Sequence, residues 1–180
     1  IEEPQQNQRF WTVEEPKSAE PEVEEPKSAE PEVSETKNNQ DIQSPGVTAE
    51  ELSRLNQELI KATTRGAFSS VKRLLDKGAD VHARDEYGNT TLMWAAINGH
   101  TKTSGFLIEK GADVNAKNIW GSTALARASM YGQAETVELL IKKGADVNAT
   151  NKNGDTALKL SLKKGYSEVA DRLRKAGATE

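Results

Sequence analysis

His82 and His100 are the only imidazoles in this 180-residue chain, and there is no cysteine. A zinc site draws four ligands from such side chains, or from carboxylates, at characteristic close spacings. The two histidines stand 18 residues apart in different sequence contexts, so no metal site and no cofactor are expected. Nucleophilic chemistry finds no footing either. No serine sits in a GxSxG elbow, and neither a GxxxxGK[ST] phosphate loop nor an HExxH helix occurs. A carboxylate pair could be assembled only by choosing one. The expectation is a non-enzyme with no catalytic residue. Nucleic acid is also not expected as a partner. Lys142–Lys143 and Lys163–Lys164 are the only adjacent lysines, and no basic stripe is interleaved with aromatics.

The net charge of −4 hides an asymmetry. Residues 1–47 hold twelve acidic and four basic side chains, whereas residues 48–180 hold sixteen and twenty. The decapeptide VEEPKSAEPE is written twice between Val13 and Glu32, with eight glutamates and four prolines. Such a segment has too little to bury to offset its ordering entropy, so residues 1–47 are expected to be a disordered acidic tail. Phe10 and Trp11 are its only aromatics. No apolar run reaches the ~18 residues of a membrane span. The chain opens on Ile1 rather than Met, which suggests a fragment or processed product with any signal peptide removed. With the absent cysteines and the acidic spacer, this points to an extracytoplasmic, periplasmic setting ahead of a cytoplasmic one.

Beyond residue 47 the chain repeats. KGADVHA, KGADVNA and KGADVNA begin at Lys77, Lys110 and Lys143, 33 residues apart. Leu59, Leu92, Leu125 and Leu158 share a second phase, and Gly66, Gly99, Gly132 and Gly165 a third. A fixed period of this length is the signature of a stacked array. Thr48 followed by Glu51 reads as a capping box, and Leu52, Leu55, Leu59 and Ala62 as one helical stripe. Each unit then reads helix, short turn, helix, loop, and each must stack on its neighbours to bury its apolar face. Gly78, Gly111 and Gly144 fall where a helix ends in a left-handed turn. Asn115 and Asn148, with His82 in their phase, are expected to bond the following loop.

DEYGNTTLMWAAINGH from Asp85 and LIEKGADVNA from Leu107 resemble the opening and closing phrases of the ankyrin-repeat family. The resemblance covers residues 48–180. The family's threonine-proline-leucine-histidine opening reads TTLM, TALA and TALK here, which leaves Thr90, Thr123 and Thr156 as caps for the inner helices. The implied fold is an all-α ankyrin-repeat solenoid of four stacked helix–turn–helix units, about 48–84, 85–117, 118–150 and 151–180. His100 holds a position where the family commonly has histidine. Leu75, Ile108 and Ile141 should pack on the next unit, while Arg174 in their phase suits a polar end after four units.

The resemblance also implies a protein-binding module whose partner meets the loop tips and the exposed side of the inner helices. The positions carried over are Glu86, Tyr87, Asn89, Ile97 and Asn98 in the second unit. They are Ile119, Trp120, Ser122, Met130 and Tyr131 in the third, and Lys152, Asn153, Asp155, Lys163 and Lys164 in the fourth. Tyr87, Ile97, Ile119, Trp120, Met130 and Tyr131 form the apolar centre of the expected site, and Lys152, Lys163 and Lys164 its basic end. Tyrosine, tryptophan and methionine are favoured at interface centres. The expected partner is another folded protein, in one version an enzyme inhibited by occlusion, and the free protein is expected to be a monomer. A structural tether whose working part is the tail is the alternative, and a third reading has the tail fold back onto the basic end.

Overall fold

The computed structural model describes residues 48–179. The duplicated decapeptide, Phe10, Trp11 and the expected tail lie outside them. Among the described residues there are eight helices and no strand, only an isolated bridge between Arg84 and Thr90. The inner helices are α1 (Ala49–Thr64), α3 (Thr91–Ile97), α5 (Ala124–Met130) and α7 (Ala157–Lys164). The outer helices are α2 (Phe68–Asp76), α4 (Thr101–Glu109), α6 (Ala134–Lys142) and α8 (Ser167–Lys175).

The inner helices start where threonine caps them. Thr48, Thr90, Thr123 and Thr156 each accept a hydrogen bond at 3.2 Å from the backbone three residues on. Helices of seven or eight residues are too short to persist alone, and what holds them is the stack. Leu59, Leu92, Leu125 and Leu158 are at most 1% exposed and form one column, each burial contributing about 1.5–3 kcal/mol. Ala95, Ala96, Ala124, Ala128 and Ala157 are also buried and let neighbouring inner helices approach closely. Leu74, Leu107, Leu140 and Leu173 make the corresponding column in the outer helices. Leu75, Ile108 and Ile141 pack partly buried against this core, and Arg174 in their phase stays exposed.

The glycine between inner and outer helix serves two ends. Gly66, Gly99 and Gly132 have φ near +70°, and a Cβ there would lie 2.3–2.8 Å from the side chain that the next unit places on it: His100, Gln133 and Tyr166. His100 Nε2–H donates to Thr64 O at 3.1 Å, and Gln133 Nε2 to Ile97 O at 2.9 Å. One period thus sets both the turn and a tie between units.

Three positions depart from the expected pattern. Leu52 is 37% exposed because α1, with 16 residues, projects beyond the seven-residue α3. Leu55, inside α1, holds the phase that Gly88 holds at the next loop tip. Asn115 donates to Gly144 O and accepts from Asp146 N, and Asn148 does the same with Gly177 O and Thr179 N. His82 makes no such bond among the described residues, although its backbone turn onto Asp80 matches theirs.

Helix α4 is the least well built. Ser104 is fully buried with its hydroxyl unpartnered, where Val71 and Val137 stand in the neighbouring outer helices. Gly105 is interior to the helix, and a Cβ there would meet Leu139 Cδ2 at an ordinary 3.7 Å. Gly105→Ala should therefore stabilise the array by about 0.5–1 kcal/mol in urea unfolding. Amides of residues 101–109 in the unmodified protein should exchange faster than those of 134–142. Separately, His82→Asn should gain the ties seen at Asn115, worth about 1 kcal/mol. An unchanged urea midpoint would count against that assignment.

Candidate functional site

Each loop tip is fixed by the side chain three residues before its glycine. Asp85 Oδ1 accepts from Tyr87 N at 2.9 Å and Asn89 N at 2.8 Å. Asn118 Oδ1 does the same for Trp120 and Ser122, and Asn151 Oδ1 for Asn153 and Asp155. These are the Asx turns that such side chains favour. The loops then bond to one another. Ile119 N donates to Tyr87 O at 3.1 Å, Lys152 N to Trp120 O at 2.9 Å, and Asn118 Nδ2 to Asn89 Oδ1 at 2.8 Å. Arg84 Nη1 adds bonds to Gly88 O and Lys117 O.

This ladder brings Tyr87 and Trp120 into register. Their rings stack at 5.5 Å with planes 22° apart, and each residue remains 46% exposed. Behind them opens a cleft of about 540 Å³, lined by Tyr87, Trp94, Trp120, Arg127, and the C-terminal end of α1 through Ile60, Lys61, Thr64 and Arg65. Trp94 Nε1 donates to Asp85 Oδ2 at 3.0 Å, tying the inner helix to the loop. Arg127 lies 5.7 Å from the Tyr131 ring centroid, within cation–π reach. A larger cleft of about 640 Å³ sits between α6 and α8. Most of its charges are paired: Glu138 with Lys142 and Arg172, and Arg172 also with Glu168.

Ile119 and Tyr131 are 48% and 45% exposed, and Met130 is half-buried beside them. Lys152 and Lys164 are exposed. Ile97 does not reach the surface: it is 8% exposed, turned into the stack at the end of α3. Asn89, Ser122 and Asp155 are likewise buried, because the residue after each loop glycine turns inward. Lys163 is engaged within its own unit. Its ammonium bonds Asp155 Oδ1 at 2.8 Å, with Lys159 on the same oxygen at 3.0 Å. Trp94, Arg127 and the end of α1 were not among the expected site residues. The signal was present in Trp94, a tryptophan one helical turn before Asn98 in an otherwise small, apolar inner helix.

The described geometry defines a helical-repeat array that presents rigid loop tips and an aromatic-lined cleft. A family model of ankyrin repeats in three copies matches residues 50–118 and 106–179, so this chain belongs to the ankyrin-repeat family. Two ankyrin repeat proteins of Rickettsia felis are each 40% identical to it over 50 residues, which is 28% of this chain and 79% and 76% of theirs. Ankyrin repeats are protein–protein interaction modules and are typically non-enzymatic. No described helix is long and apolar enough to cross a membrane.

The Asp155 cluster predicts an acid-sensitive fourth unit. Hydrogen bonds from Lys163, then Lys159, hold the Asp155 carboxyl below its ordinary 3.8. A carboxylate with a lowered folded-state value stabilises above the ordinary value, and that contribution is lost as pH falls through the folded one. Asp155→Asn should therefore lower the urea midpoint at pH 7. The gap to the unsubstituted protein should narrow below pH 3.8.

Proposed function

We propose that the array grips one folded protein through its loop-tip and inner-helix face, and that it inhibits a partner enzyme by covering the mouth of its active site. The observation that carries this is the stacked pair of Tyr87 and Trp120, nearly half exposed at loop tips where the fold requires no aromatic. Asn153 stands in the same phase one unit on, so the stack itself does not need the rings. Ile119, Met130 and Tyr131 extend the apolar patch, as in surfaces that mark interaction sites. Lys152 and Lys164 give one end of the face positive charge. Lys163, held by Asp155, contributes to that charge from a fixed position.

A second reading has residues 1–47 as a separate segment that tethers the array. The exact duplication of VEEPKSAEPE supports it. The two readings part when the tail is deleted or grafted onto an unrelated domain: an inhibitor keeps its activity without residues 1–47, whereas a tether carries its activity with them.

For a partner captured with residues 48–180 as bait, Trp120→Ala or Tyr131→Ala should weaken binding by at least ~1–2 kcal/mol. Loss of the Tyr87 stack should cost Trp120→Ala at most ~1.5 kcal/mol of folding stability. A Trp120→Ala protein that unfolds, or that keeps full affinity, would make the ring a structural element.

A further inference from the structure

Three cations share the cleft beside the aromatic pair: Lys61 and Arg65 at the end of α1, and Arg127 on α5. None of them has an ion pair or a side-chain hydrogen bond among the described residues, and the guanidinium Nε of Arg127 is buried without an acceptor. By contrast, Lys142, Lys159, Lys163 and Arg172 are all paired with carboxylates. Two acids line the cleft, but Asp85 is used up. Its two oxygens accept from Tyr87 N, Asn89 N, Asn89 Nδ2 and Trp94 Nε1, which fills the lone-pair sites a carboxylate has. Asp85 keeps its negative charge but has no acceptor site to spare, so three cations face two carboxylates and only Glu86 is left to pair with one of them.

The guanidinium of Arg127 lines the cleft with no carboxylate partner in the described chain, and an incoming carboxylate would supply one in a setting walled by Tyr87, Trp94 and Trp120. We infer that this cleft receives an acidic side chain of the partner protein flanked by an apolar one. Arg127 takes the carboxylate, Lys61 and Arg65 supply the surrounding positive field, and the Tyr87–Trp120 stack takes the apolar neighbour. The cleft, about 540 Å³, has room for a few side chains rather than for a long strand of any polymer. Glu86 at its rim disfavours the closely spaced phosphates of a nucleic acid. The inference rests on the reading of this face as a protein-binding surface and names the chemistry that it recognises.

The test is selection of short random peptides, displayed on phage, against the full chain. Clones that bind it and lose binding to Trp120→Ala should be enriched in Asp or Glu next to Leu, Ile or Phe. For synthetic copies of those clones, Arg127→Gln should weaken binding at least about tenfold, as loss of a desolvated charge partner does. Arg127→Lys should recover only part of it, lacking the planar fork. Lys61→Gln with Arg65→Gln should cost less affinity and flatten the salt dependence. Both residues are exposed on α1, so this variant carries the test should Arg127→Gln unfold. Trp120-dependent clones without acidic residues, or indifferent to these cations, would overturn the inference while leaving the protein-binding face intact. Recovery of no Trp120-dependent clone would remove both. An oligothymidylate that binds more tightly than the peptides, and through Arg127, would overturn it in favour of nucleic acid.

Discussion

A two-helix unit of this size has an apolar stripe on each helix and no layer of its own to cover it. The stacking of one unit on the next therefore underlies every other feature. Leu59, Leu92, Leu125 and Leu158 lose essentially all their solvent exposure in that stack, and truncating any one of them to alanine would cost roughly 2–5 kcal/mol. Small residues on the inner helices set the distance, and the glycine turns let His100, Gln133 and Tyr166 lie over the unit before. Once the helices are in register, the loops fall 33 residues apart and can bond tip to tip. The proposed binding face is built by contacts made elsewhere.

That order of dependence is why the proposed interaction face lies among positions that the stack does not require. Tyr87 and Trp120 share a phase with Asn153, and Trp94 shares one with Arg127 and Leu160, yet the backbone is alike at each position. The leucine columns do not set the side chains there, although Trp94 also ties α3 to its loop through Asp85. The Asx turns and the loop-to-loop bonds hold these side chains in place before binding, which lowers the ordering cost of association. Preorganised aromatics beside unpaired cations form a surface suited to one mixed apolar and acidic determinant. The cleft between the outer helices α6 and α8 has Glu138, Lys142, Arg172 and Glu168 joined in ion pairs and no aromatic side chain in its lining.

The repeat, the threonine caps, the turn glycines and the leucine column were legible in the sequence because each is a local rule repeated at one interval. Asn115 and Asn148 were legible for the same reason. The limits lay where two neighbours in sequence take different sides of a short helix. Ile97 and Asn98 both precede Gly99, but only Asn98 projects outward, since a seven-residue helix rotates 100° per residue and its end is fixed by the stack. Lys163 read as a surface charge, although Asp155, Lys159 and Lys163 recur every four residues along the start and one side of α7, which places both ammonium groups on the same carboxylate oxygen. The cleft was hidden because it joins three units: α1 supplies Lys61 and Arg65, the second loop Tyr87, and the third Trp120 with Arg127. No single repeat contains it.

The central claim, that the loop tips and inner helices form the binding face, is tested most directly by an amide hydrogen-exchange footprint of the full chain with and without its captured partner. The account predicts slowed exchange at residues 85–98 and 118–131 and at the C-terminal end of α1, with the outer helices α4, α6 and α8 unchanged. Protection confined to those outer helices, or to residues 1–47, would contradict it.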